Sequence, residues 1–236
     1  MDIKKELIDA IKNKEIVSRT ELLNLIDKCY GGISRSYFYR IISELMKQGI
    51  LTKLDSYTYS TKISVSFSYF LSDDNIESTI KGYSDYTLWD TNIINKWMNH
   101  LLNNVITFVE VDKDLMQFAA EDLKNAGYSY VLVNPSVTEF YKYFGRHTIV
   151  IKPLVKSLIE KDHHISIERL IVELYSNKIA KSLYSDNELI SMLNEIFKTY
   201  NINLKKIYHI AKRKKIYDQF YSYLAKNIDR RYIYHD

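Results

Sequence analysis

The chain has 236 residues and 46% of them are hydrophobic, enough for a sizeable core and too many for a disordered polypeptide. Its single cysteine, Cys29, excludes an internal disulfide and points to a reducing, cytoplasmic setting, with a small apolar role near a helix end rather than redox chemistry. No run of about eighteen apolar residues occurs, and Met1-Asp2-Ile3-Lys4-Lys5-Glu6 opens no apolar stretch of signal length, so no membrane partner is expected.

The formal net charge of +4 is unevenly spread: +3 over 1–64, −4 over 65–155, −1 over 156–202 and +6 over 203–236. Basic ends around an acidic middle suit a protein that meets phosphate with its ends. Lys, Asn, Ile and Tyr share A/T-rich codons, so their abundance alone is weak evidence for nucleic acid.

Ile3, Leu7, Ile8 and Ile11 space a first amphipathic helix, and Ile16-Val17 a short extended piece. Ser18-Arg19-Thr20-Glu21 opens a second helix carrying Leu22, Leu23, Leu25 and Ile26, and Gly31-Gly32 turns the chain into a third. In that third helix Ser34 or Ser36 is the cap, Phe38, Ile41, Ile42 and Leu45 face the core, and Gly49 follows the C-terminus. Two β-favouring runs, 50–54 and 57–61, flank Asp55-Ser56 as a hairpin. Helix, short strand, helix, helix, hairpin is the order of a winged helix–turn–helix. Ser34, Arg35, Ser36, Tyr37, Tyr39 and Arg40 then sit where a recognition helix enters a major groove, with Lys53, Tyr57 and Lys62 of the wing in support. The double-stranded DNA partner this implies has a rival: a winged helix that docks only on protein.

Val65–Tyr69 alternates with serines as an edge strand. Asp90 caps a helix over Asn92–Leu102, with Ile93, Ile94, Trp97, Met98 and Leu101 on one side. A strand over 105–111, a helix over 114–125 with Leu115, Phe118, Ala119 and Leu123 apolar, and a strand over 128–133 follow. Ser136 and Glu139 form a capping box, and 148–151 is a third strand. Strand, helix, strand, helix, strand implies a partly parallel, helix-covered sheet. Glu110 and Asp112, with Lys152 ending another strand, permit a magnesium-assisted nuclease centre. The compact acidic–x–lysine element is missing, and the plainer reading is a strand end followed by a capped helix. His163-His164 lacks further ligands and reads as a solvated loop, and no glycine-rich phosphate loop, nucleophile elbow or paired CxxC occurs. No cofactor, metal or catalytic residue is assigned.

Four apolar stripes space the C-terminal helices: Ile167 to Leu174, Leu189 to Phe197, Leu204 to Ala211, and Tyr217 to Leu224. Lys205, Lys206, Lys212, Arg213, Lys214 and Lys215 are read as outward, for DNA phosphates, an acidic partner or solvent alone. The fold class is α+β: a winged helix–turn–helix (1–64), a central small α/β sheet domain (65–155) and a C-terminal helical region packed on it (156–236). The polar stretch Ser72-Asp73-Asp74-Asn75 separates the first unit from the rest.

Several segments in order resemble the AbiEi-type antitoxins of bacterial type IV toxin–antitoxin (abortive infection) pairs. They are 86–91 (YTLWDT), 108–114 (FVEVDKD), 133–135 (VNP), 149–154 (IVIKPL), 167–175 (IERLIVELY) and 210–214 (IAKRK). The proline that often opens the helix motif at Ile167 is replaced by His164-Ile165-Ser166. The resemblance implies a non-catalytic transcriptional regulator that represses its own promoter and counters a nucleotidyltransferase-like toxin, directly or only functionally.

Overall fold

The computed structural model describes residues 3–54, 56–61, 67–98, 100–160 and 162–233. Its class is α+β, with N-terminal helices, a small mixed sheet in the middle and C-terminal helices. The N-terminal unit contains α1 (Lys5–Lys12), β1 (Ile16–Ser18), α2 (Arg19–Tyr30), α3 (Arg35–Lys47), β2 (Thr52–Lys53) and β3 (Thr58–Ser60). Both larger helices start where a hydroxyl satisfies an end N–H. Ser18 and Glu21 form a full capping box on α2, and Ser34 accepts from the Tyr37 N–H on α3. Gly31, Gly32 and Gly49 all have positive φ, which costs little only for glycine. Phe38, Ile41, Ile42 and Leu45 of α3 are buried against Leu7, Ile11, Leu22 and Ile26. The strands form an antiparallel sheet in the order β1-β3-β2, so the short piece at Ile16 joins the hairpin.

The central unit comprises α4 (Asp74–Ile80), β4 (Tyr86–Asp90), β5 (Ile106–Val111), α5 (Met116–Asn125), β6 (Val131–Val133), α6 (Val137–Tyr143) and β7 (Thr148–Pro153). Its sheet order is β4-β5-β7-β6, with β5, β7 and β6 parallel and β4 antiparallel to β5. Leu88, Val109, Val111, Ile149 and Ile151 pack towards α4 and α5. Trp89, Phe108 and Val150 pack on the other face into the largest core, with the C-terminal helices. Alternation therefore turns Thr87, Glu110 and Lys152 to that second face. The helices there are α7 (Ile167–Ser176), α8 (Lys178–Lys181), α9 (Asp186–Thr199), α10 (Leu204–Arg213), α11 (Tyr217–Asn227) and α12 (Arg230–Ile233).

Several expectations need correction. Asn92–Leu102 is not an α-helix: a 3-10 helix runs over Thr91–Trp97 and Leu101 is exposed. The Asn95 side chain accepts from the Leu102 N–H at 2.9 Å, offering the backbone a partner that an α-helix would not use. Asp90 does cap that turn, accepting from Asn92, and also accepts from the Ser72 N–H. Residues 67–71 carry no strand, and the rest of the expected edge strand lies outside the described residues, as do Asp55 and Lys62. Phe118 is exposed, leaving Ala119, Ala120 and Leu123 as the buried face of α5.

The histidine pair is half-buried rather than solvated. His163 stacks on Tyr86 at 4.0 Å and its Nδ1 lies 3.1 Å from the Tyr86 carbonyl oxygen, while His164 Nε2 stands 3.4 Å from Glu77. The Leu88 N–H donates to the His163 carbonyl at 2.8 Å, and the Asp90 N–H to the Tyr69 hydroxyl at 2.6 Å. The N-terminal unit touches the C-terminal helices directly. Ile16 packs on the large core, and the Tyr232 hydroxyl donates to Glu15 at 3.0 Å. Among the described residues no helix is long and apolar enough to cross a membrane.

Candidate nucleic-acid interface and the basic cleft beside it

Helix α3 starts at Arg35 because Ser34 caps it, and its burial pattern leaves the first two turns largely at the surface. Of the two serines the sequence offered, Ser34 is the cap, and the Ser36 hydroxyl lies 3.1 Å from it. The aromatic and basic side chains divide into two groups. On one side the Arg35 guanidinium lies 6.0 Å from the Tyr39 ring centre, and that of Arg19 5.2 Å from the same ring. On the other, Arg40 lies 5.4 Å from the Tyr37 ring, which packs edge-on against Tyr30. Cation–π contact of this kind helps hold a guanidinium in place.

Arg19 escaped the sequence reading. It comes from the first turn of α2, and its N–H donates to the Tyr57 carbonyl at 2.6 Å, tying that helix to the hairpin. Only its position before an apolar stripe could have signalled it. Tyr57 is 68% exposed at the hairpin tip, and Lys53 is exposed on β2. Lys62 lies outside the described residues.

The C-terminal basic run does not form one outward face, which corrects the sequence expectation. Lys206 pairs with Glu160 at 3.0 Å and Glu168 at 3.4 Å, and Lys214 with Glu173 at 2.5 Å. Arg213 and Lys215 are exposed, while Lys205 and Lys212 line a cleft of about 920 Å³ between the N-terminal unit and helices α10 and α11. Arg19 and Tyr57 form part of the opposite wall of that cleft.

Glu110, Asp112 and Lys152 do not meet as a metal centre. Glu110 is buried and its Oε2 accepts from Arg169 Nη2 at 2.5 Å. Asp112 caps the 3-10 turn Lys113–Leu115. Lys152 lies beside Glu110 in the parallel register, within electrostatic reach of Glu173 of α7. The ion set that forms has Glu110, Arg169 and Glu173 buried at its centre, with half-buried Lys214 paired to Glu173 and half-buried Lys152 nearby. Arg169 also donates to Thr87 Oγ1 at 3.1 Å and to the Leu158 carbonyl at 2.8 Å. Burial lifts Glu110 above the usual carboxylate range, and the Arg169 guanidinium only partly opposes it. Burial acts the same way on Glu173, but Lys214 and Arg169 outweigh it and hold that carboxyl below its ordinary value. Burial lowers Lys152, against the pull of Glu173. Among the described residues no group of three or more His, Cys, Asp or Glu side chains could hold a metal ion.

A sequence profile for a family of unknown function, DUF6577, matches residues 37–230. The chain belongs to that family. The DUF6577 match begins inside α3 and runs through the sheet to the start of α12, so it takes in the buried ion set and one wall of the cleft. A comparison with curated proteins gives no match.

Proposed function

We propose that this protein is a DNA-binding transcriptional regulator, an antitoxin that represses its own promoter and counters a nucleotidyltransferase-like toxin. The observation that carries the DNA reading is the exposed N-terminal half of α3, where Arg35 and Tyr39 stand beside Arg19 and the Tyr57 hairpin, and Arg40 lies against Tyr37 on the other side. The element order around it, with β1 paired on β3, supports reading the unit as a winged helix. A helix presented this way offers guanidinium groups for guanine edges and phosphates, the commonest arginine contacts to DNA. The toxin partner rests on the resemblance of the later segments. Non-catalytic action is part of the same proposal, since the Glu110 carboxylate is engaged by Arg169 and Asp112 by a helix cap.

The test is a gel shift with the protein's own promoter at moderate salt, using Arg35→Ala with Arg40→Ala. Each arginine that reads a guanine contributes about 1–3 kcal/mol of discrimination, so the double variant loses specific binding. Undiminished binding by a folded double variant refutes the DNA reading. Co-expression with a nucleotidyltransferase-like toxin, scored as cell survival, tests the antitoxin half separately.

A further inference from the structure

We propose that the cleft between the N-terminal unit and helices α10 and α11 is a nucleotide-binding site. Tyr208, Tyr217 and Tyr221 take the base, and Arg19, Lys205 and Lys212 take the phosphates. The volume of about 920 Å³ falls in the range of small-molecule sites, roughly 300–1,000 Å³, and is too small to seat a duplex.

The lining is chemically one-sided. It has two lysines, an arginine and His209, while no aspartate or glutamate contributes to it among the described residues. Like charges gathered in a concave, partly apolar wall concentrate anions there. The three tyrosines are already arranged as a platform: Tyr217 and Tyr221 rings are near parallel at 6.0 Å, and Tyr208 meets Tyr217 edge-on at 5.6 Å. Lys212 Nζ sits 4.8 Å from the Tyr217 ring centre, at the junction of the aromatic and cationic parts. A bare phosphate would use only the cations, and an uncharged aromatic only the rings. A nucleotide uses both, and a stacked base is worth roughly five- to a hundredfold in affinity. Arg19 serves the cleft from the far wall while lying against Tyr39 of α3.

Isothermal titration calorimetry on the full chain tests it, with ATP, GTP, CTP and UTP as probes against adenosine, inorganic triphosphate and a single-stranded tetranucleotide. At least one nucleoside triphosphate is expected to bind at one per chain, about tenfold or more tighter than adenosine and inorganic triphosphate. Lys205→Gln with Lys212→Gln, and separately Tyr217→Leu, should each weaken that binding about tenfold while melting as the parent does. A tetranucleotide that binds tighter than every mononucleotide and is weakened by the same variants identifies the source as a strand, and supports the site. The proposal is overturned if no probe binds at millimolar concentration, if inorganic triphosphate matches ATP, or if the folded lysine double variant binds undiminished.

Discussion

Replacing Arg169 with methionine removes the central cation of the buried ion set while keeping much of the side-chain volume. Arg169 is 1% exposed, and its removal leaves the Glu110 carboxylate, itself 5% exposed, without its closest partner. Breaking a buried pair in this way costs about 3–5 kcal/mol, and the Leu158 carbonyl loses a donor worth about 1–3 kcal/mol more. Lys152, adjacent in register, recovers part of this, so a net loss of about 4–6 kcal/mol is expected. That is a large share of the roughly 5–15 kcal/mol that holds a domain folded. Adding Glu110→Met to Arg169→Met removes the stranded charge and should restore most of the loss, leaving the Leu158 carbonyl and the weakened hold on Glu173.

Burial raises Glu110 already in the parent, so its folded value lies above its unfolded one. The stability linked to this group is fully present below the unfolded value of about 4.3 and is lost as pH rises through the folded value. Arg169→Met raises the folded value further, so the variant should be hurt more in neutral than in mildly acid buffer. Urea unfolding followed by far-ultraviolet circular dichroism measures all of this. A single variant within about 1 kcal/mol of the parent, or a double variant no better than the single, refutes the account of the pair.

Lys214→Met takes from Glu173 the ammonium that keeps its carboxyl low. In the parent that stability is present above the unfolded value and lost as pH falls through the lower folded one, so the variant's deficit should be largest at neutral pH and close in acid. Urea midpoints across pH check the sign. Ser18→Ala opens the capping box on α2 and should cost about 1 kcal/mol of stability, read from the same unfolding curves. Arg19→Ala should weaken promoter and unrelated DNA alike and lower the salt slope of binding by about 1, measured by titration at several salt concentrations. Plasmid and single-stranded DNA incubated with pure protein and magnesium or manganese should stay intact, and cleavage lost on Glu110→Ala would revive the nuclease reading.

What the sequence made legible is what depends on neighbours along the chain. The capping boxes at Ser18 and Ser136, the start of α3 after Ser34 and the stripes of α7, α9, α10 and α11 all follow from spacings of three or four residues. β4 escapes a local reading, because Tyr86–Asp90 is buried throughout and lacks the apolar–polar alternation that marks a half-exposed strand. The helix expected over 92–102 failed because apolar spacing says nothing of an asparagine that bonds the backbone further along. The buried ion set was hidden by distance in sequence: Glu110 and Arg169 are 59 residues apart, and Glu173 and Lys214 are 41. One trace was visible, since Arg169 and Glu173 stand four apart inside a helix that is mostly apolar. The cleft needed the packing of two distant helices against the N-terminal unit, and no local pattern encodes that.

The edge of the central sheet has a further consequence. β4 ends the order on one side, and its outward backbone groups would ordinarily invite a strand from another molecule. Here the Tyr86 carbonyl faces the His163 ring, the Leu88 N–H donates to the His163 carbonyl, and the Asp90 N–H donates to the Tyr69 hydroxyl. Three successive outward positions are thus spoken for by the chain's own loops, with His163 held at a φ of +59° to do so. The left-handed backbone is strained for a histidine, and its stacking on Tyr86 helps hold it there. Every copy of the protein therefore carries its own guard over this edge, fastened to the segment that leads into α7.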